Sequence, residues 1–276
     1  MEELSGKVAV STGGASGIGL ALAERFGAEG MRVVLADIDE PRLRDVEARM
    51  SESGVDVTSV VCNTATEADV EALAQTTLDR FGAAHVLCNN AGIAGMGDPW
   101  RDPMALWERI IGINVFGVVH GIRAFLPIMQ DQGEGHIVNT ASMAGLIPVP
   151  GAAPYAATKH AVVALSESLY LELAAVASPV GISALCPAFV KTRLMELEPA
   201  AVHDPIANTM NEMLRSGVEG GIPASDVADQ VVDAIRSRRF WVLTHPDARQ
   251  APVDRMQRAA EQENPTLGTL GTPEPA

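Results

Sequence analysis

Short apolar runs rich in β-branched residues alternate with longer segments of helical period along most of this chain. Strands are predicted near residues 7–12, 32–37, 57–62, 85–89, 135–141, 180–186 and 240–244, and helices near 17–29, 40–53, 67–82, 104–131, 154–177 and 223–238. Apolar runs bounded by glycine and separated by helices fit parallel strands buried on both faces. Repeated strand–helix units then predict an α/β fold: a doubly wound parallel sheet of about seven strands, helices on both faces, and ligands at the carboxyl ends of the strands. Residues 188–222 break the rhythm, with Pro199, Pro205, Gly217, Gly220 and Gly221 among methionines and leucines. An insertion of that length at a strand's carboxyl end reads as a lid. Residues 1–247 are thus expected to form one domain, although length alone favours two. Residues 248–276 form a C-terminal extension whose polar end is predicted to be disordered.

Charge and cysteine content narrow the classes of function. The net charge of −15 makes nucleic acid and anionic membrane surfaces poor partners. The acidic start, Met1-Glu2-Glu3-Leu4, is unlike a signal peptide, and no apolar run of the ~18 residues needed to span a bilayer is evident. A soluble, cytoplasmic chain is expected. Cys62, Cys88 and Cys186 are odd in number and each ends an apolar run, so they read as small buried hydrophobes, not as a disulfide framework. His85 and Cys88 have no second pair to complete a metal site, so no metal is expected.

The strongest chemical signal is Tyr155-Ala-Ala-Thr-Lys159, which combines one of two tyrosines with one of three lysines. Pro154 opens a helix there, and residues at i and i+4 share a helical face, which puts the Lys159 ammonium beside the Tyr155 phenol. That charge and the positive end of the helix dipole both predict a tyrosine pKa lowered toward acid–base catalysis. A second signal follows the first strand, where Gly13-Gly14-Ala15-Ser16-Gly17-Ile18-Gly19 leads into a helix. Glycines there permit a tight turn and let backbone approach a pyrophosphate seated on the helix N-terminus, as in a Rossmann-like dinucleotide site. Asp37 ends the second strand, 18 residues past Gly19, where a carboxylate binds the adenosine ribose. It would repel a 2′-phosphate, and no lysine or arginine lies in 33–41, so NAD is expected over NADP. A cap on the helix from about 40 is the alternative role for Asp37.

With the glycine-rich turn, Asn89-Asn90-Ala91-Gly92 and Tyr155-x-x-x-Lys159 in this order, residues 5–245 resemble the short-chain dehydrogenase/reductase family. The resemblance implies an enzyme acting on CH–OH groups, with Tyr155 as general acid/base and Ser142 holding the substrate oxygen. It implies that Lys159 binds the nicotinamide ribose and that Asn114 holds a relay water through its backbone. It adds Gly13, Ser16, Gly17, Ile18, Gly19, Asn63, Asn90, Ala91, Gly92, Pro187, Val190 and Thr192 to Asp37, Tyr155 and Lys159 as cofactor contacts, and a homodimer or homotetramer as the assembly. Plainer roles stay open: a strand-ending turn for Asn89–Gly92, an ordinary loop serine at 142, a helix cap or kink at Asn114. Three features depart from the family pattern: Asn63 where Asp is usual, Pro187-Ala188 for Pro-Gly, and the ending Phe240-Trp241-Val242-Leu243-Thr244-His245-Pro246.

Segments 93–100, 143–154 and 188–218 supply Ile93, Met96, Trp100, Met143, Leu146, Ile147, Val149, Phe189, Leu194, Met195, Leu197, Met210, Met213 and Leu214. Such a lining suits a lipophilic secondary alcohol or ketone, the alternative being that these residues form the lid's own core. Two further functions compete with an NAD-dependent dehydrogenase. One is an NADPH-dependent 3-oxoacyl-type reductase, which Asp37 and the chain's ending disfavour. The other is a dinucleotide-sensing protein without turnover, disfavoured by the complete Ser142, Tyr155 and Lys159 set.

Overall fold

A computed structural model of the protein describes residues 1–95, 98–196 and 205–266. The apolar runs form seven strands, β1 (Val8–Thr12), β2 (Arg32–Asp37), β3 (Val57–Val61), β4 (Val86–Asn89), β5 (Gly135–Thr140), β6 (Val180–Leu185) and β7 (Trp241–Val242). All pair in parallel in the order β3-β2-β1-β4-β5-β6-β7, with Val10 between Val34 and Leu87. Side chains alternate along a strand, so each strand feeds two cores. Val8 and Val10 pack under α3 (Glu67–Phe81), α5 (Gly117–Asp131) and α6 (Ala153–Ala175), against Leu73, Phe125 and Leu173. Ala9 packs under α1 (Gly17–Ala28), α2 (Glu40–Glu52) and α8 (Ala224–Ser237), against Phe26, Leu43 and Val231. From β1 the chain steps outward to β3, then returns to lay β4 on the other side of β1. The loops that leave β1 and β4 therefore diverge and open a crevice at their carboxyl ends.

Several boundaries differ from the sequence expectation. The seventh strand spans two residues, not 240–244, because it lies at the sheet edge with Trp241 exposed. The helix expected at 104–131 is α4 (Met104–Ile111), a π-helical turn at Gly112–Phe116 and then α5. By length and composition this run would suffice to cross a membrane, contrary to expectation, and its α5 portion packs on the sheet through Phe125 and Met129. The segment expected to form a lid contains α7 (Pro205–Gly220), and the C-terminal extension contains α9 (Gln250–Ala260). From α9, Arg255 donates to the Leu146 carbonyl at 2.9 Å, folding the extension back onto the domain. Met96, the lid portion 197–204 with Leu197 and Pro199, and the end 267–276 expected to be disordered lie outside the described residues.

The three cysteines are free and buried. Burial pushes the Cys62 and Cys186 thiols up to about 12, so neither is a thiolate nucleophile at neutral pH. Among the described residues no group of His, Cys, Asp and Glu is arranged to hold a metal.

Candidate active site

The glycine-rich turn is shaped by contacts that only glycine tolerates. Gly13 has φ +66°, a left-handed conformation costly for other residues. A Cβ on Gly19 would stand 2.2 Å from the Gly13 carbonyl oxygen and 2.6 Å from the Asn90 side chain. The first turn of α1 therefore presses directly on the loop it follows. Ser16 is the N-cap residue of α1, yet its hydroxyl makes no capping bond. Ile18 is half-buried and packs against the core. The loop is also pinned from β2: Asp37 accepts the Ala15 N–H through Oδ2 and the Asp39 N–H through Oδ1, both at 3.0 Å. The cap of α2 is Asp39, whose side chain accepts the Arg42 N–H, and not Asp37.

β1 and β4 are clipped together by Thr12, a residue the sequence reading did not single out. Its hydroxyl accepts the N–H groups of Asn90 and Ala91 at 2.9 and 3.0 Å and donates to the Cys88 carbonyl. Asn90 in turn donates its side-chain amide to the Thr12 carbonyl at 3.0 Å. Asn63 turns its side-chain oxygen back to the Ala65 N–H at 3.2 Å, while Asp69 accepts its own N–H. Thr192 arches over the turn, its Cβ 3.3 Å from where a Cβ on Gly17 would be. Val190 pairs with Ile222 and buries its side chain in the core, leaving only its main chain for a ligand.

The four residues expected to carry the chemistry meet at one end of this crevice. Asn114 lies in the π-helical turn, a feature that frequently marks functional sites. Its side chain clamps Ile93 from both sides, accepting the N–H and donating to the carbonyl at 2.9 Å each, and donates to the Thr158 hydroxyl at 3.1 Å. Gly92 sits against both Asn114 and Lys159, since a Cβ there would lie 3.3 Å from Asn114 Oδ1 and 3.5 Å from Lys159 Nζ. Lys159 is buried on α6 and donates to the Thr140 carbonyl at 2.8 Å, with Nζ 5.6 Å from the Tyr155 ring centroid. Ser142 follows β5; its hydroxyl accepts the Ala144 N–H and reaches the Pro187 carbonyl, which also accepts the Met143 N–H.

Tyr155 is half-buried, with its ring centroid 5.6 Å from Lys159 Nζ and its hydroxyl close enough to Ser142 for that side chain to act on its titration. Burial raises the phenol pKa and the Ser142 hydrogen bond only partly lowers it. The lowering expected from Lys159 is therefore overturned for the protein alone, because burial of the phenol dominates its titration. Lys159 is itself pushed down to about 8 by burial, with the nearby Cys186 thiol opposing.

Beyond Tyr155 the surface becomes apolar. Ala94, Ala144, Val149, Ala152, Ala156 and Met195 form a small core, with Tyr155, Leu194, Met210 and Leu214 packed at its edge. Met143 and Ile147 are buried in the loop after Ser142, where Leu146 meets a neighbouring cluster, and the Phe189 ring lies against Gly217 of α7. Trp100 and Met213, expected in the lining, are exposed, and Trp100 packs instead near Trp107 with ring centroids 6.2 Å apart. At the other end of the crevice Arg42, Arg49 and Arg193 line a depression shared with Ala15, Ser16 and Gly17. These cations escaped the sequence reading because they lie outside 33–41 and reach the turn from separate elements.

Comparison with known proteins agrees with this geometry. A family model described as short chain dehydrogenase matches residues 7–202. A short chain dehydrogenase/reductase from Burkholderia phymatum, solved in complex with NAD, superposes with a TM-score of 0.93 at 41% identity, covering 99% of this chain and 100% of that one. A CLA biosynthesis dehydrogenase/reductase of Lactiplantibacillus plantarum is 33% identical over 270 residues, 94% of each chain. A 1-deoxy-11-beta-hydroxypentalenate dehydrogenase of Streptomyces avermitilis is 38% identical over 248 residues, 89% of this chain and 87% of its own length.

Proposed function

The chain belongs to the short-chain dehydrogenase family of oxidoreductases, and from that premise we propose that it oxidises a lipophilic secondary alcohol with NAD, or reduces the matching ketone, through Tyr155. The observation that carries this reading is the half-buried Tyr155 itself, with Lys159 Nζ 5.6 Å from its ring, Ser142 nearby, and the apolar cluster around Val149 and Met195 at its edge. The cradle suits a dinucleotide: Gly13, Ser16, Gly17, Ile18 and Gly19 would face the pyrophosphate and Asp37 the adenosine ribose. Asn63 would meet the adenine, Asn90, Ala91, Gly92, Tyr155 and Lys159 the nicotinamide riboside, and Pro187, Val190 and Thr192 its carboxamide. Bound NAD supplies the hydride acceptor. Ser142 holds the substrate oxygen, and Tyr155 takes the hydroxyl proton in oxidation or gives it in reduction. Lys159 lies beside the ring and, when charged, favours the phenolate. Asn114 keeps Gly92 and Ile93 in register and holds a relay water through its backbone. The exposed Phe116, Tyr170 and Leu171 are apolar surface in the π-helical turn and on α6, and support self-assembly as a homodimer or homotetramer.

Arg42, Arg49 and Arg193 favour a second reading, an NADPH-dependent 3-oxoacyl-type reductase, because they would welcome a 2′-phosphate beside the turn. Asp37, fixed nearer the loop by its two backbone contacts, weighs against it. Reduction of NAD and NADP by a panel of secondary alcohols, hydroxyacyl thioesters included, separates the possibilities. Turnover of apolar alcohols with NAD supports the first reading, and preference for NADP with thioesters the second. Binding of NAD without turnover of any panel member would indicate a sensor.

A further inference from the structure

The loop that leaves β6 carries the Pro187 carbonyl to Ser142, and its hold on the sheet comes from an unexpected direction. His245, just past β7, is half-buried and bonds this loop through both ring nitrogens. Nδ1 accepts the Ala188 N–H at 3.2 Å and lies 2.8 Å from the Thr244 hydroxyl, while Nε2 lies 3.0 Å from the Phe189 carbonyl. A carbonyl can only accept and an N–H can only donate, so the ring's proton sits on Nε2 and Nδ1 is the acceptor. The two contacts are not equal. Phe189's carbonyl also accepts the Ile222 N–H at 3.1 Å, whereas Nδ1 is the one acceptor for the Ala188 N–H among the described hydrogen bonds. Further along, Val190 and Lys191 are anchored independently on Ile222.

We propose that His245 is a positioning residue for the reaction: by accepting the Ala188 N–H it fixes the peptide before Ala188, and so the Pro187 carbonyl that orients Ser142 beside Tyr155. This rests on the reading of Ser142 and Tyr155 as the reaction centre. Because Val190 and Lys191 keep their own anchor on Ile222, the effect falls mainly on turnover, and dinucleotide binding changes little even though Pro187 is one of its proposed contacts. A small displacement of an orienting group costs up to ~100-fold in rate, so a fall of about 10- to 100-fold is expected when Nδ1 is removed.

Three variants divide the ring's roles. In His245→Asn the amide oxygen can take the place of Nδ1; in His245→Gln the amide nitrogen can take the place of Nε2; His245→Ala removes both. The expected result is that Ala and Gln lose kcat with NAD Kd changed by less than ~3-fold, while Asn recovers most of it. Tyr155→Phe, run alongside, separates the two claims. If it turns over normally, the reading of the reaction centre fails. If it is inactive while all three His245 variants match wild type, or Asn does no better than Gln, only the role of His245 is refuted. Loss of the folded far-ultraviolet signal in all three would also refute it, by showing that the ring holds the fold and not the loop. In ¹⁵N-histidine spectra, the resonance lost in the Asn variant should report the Nε2–H tautomer; an Nδ1–H tautomer there would contradict the assignment.

Discussion

Lys159 should destabilise the protein that contains it, and Lys159→Met should reverse the cost. Lys159 is 4% exposed, and its ammonium bonds the Thr140 carbonyl and forms no salt bridge among the described residues. Burial lowers its pKa from 10.5 to about 8. Between about pH 8 and 10.5 the unfolded chain therefore binds the proton more tightly than the folded one, so stability rises with pH across that window. Below it the full penalty is present. At ~1.4 kcal/mol for each tenfold change, the charged lysine costs the fold about 3 kcal/mol at pH 7 and less than about 1 kcal/mol at pH 10. Methionine keeps the unbranched shape without the charge. Losing the bond to Thr140 returns roughly 1–2 kcal/mol of that gain. A net stabilisation of about 1–2 kcal/mol remains, which for a chain of this size raises Tm by about 2–8 °C. Thermal unfolding without cofactor, followed by circular dichroism at pH 7 and pH 10, reads it directly. Lys159→Met should melt higher at pH 7, with the difference vanishing or reversing at pH 10, and be inactive at both. A variant that melts lower at pH 7, or gains equally at both pH values, would refute the reasoning.

Other outcomes follow from the same geometry. NAD should bind at least ~100-fold more tightly than NADP, about 2.7 kcal/mol, by calorimetric titration. Asp37→Ala should narrow that gap and also weaken NAD, because Ala15 loses its anchor; equal wild-type affinities would contradict the role given to Asp37. Gly19→Ala places a methyl against the Gly13 carbonyl, a clash worth about 1–3 kcal/mol of stability, and should abolish dinucleotide binding in the variant that still folds. Light scattering should return twice or four times the 29.0 kDa chain mass at micromolar concentration, and a monomer would exclude the proposed assembly.

The sheet was legible because its strands are apolar on both faces, and the turn because Gly13, Gly17 and Gly19 follow the first of them directly. Tyr155 and Lys159 were legible from their spacing on one helix. The π-helical turn at Asn114 was not, since a single displaced hydrogen bond leaves no mark on hydrophobic period. α9 was missed because Pro252 and three charged residues interrupt its few apolar positions, none of which is buried, and its contact with Leu146 joins residues 109 apart in sequence. The sign of the Tyr155 shift depended on burial, which only the folded structure sets. Arg42, Arg49, Arg193 and His245 reach the crevice from separate elements, where neither period nor spacing connects them to it.

The central claim is that Tyr155 carries the proton, and Tyr155→Phe tests it while keeping the ring. With the best alcohol from the panel, kcat should fall by ~10²–10⁴ or more while NAD Kd stays within a few-fold of wild type. Near wild-type turnover by the phenylalanine variant would show that another group moves the proton.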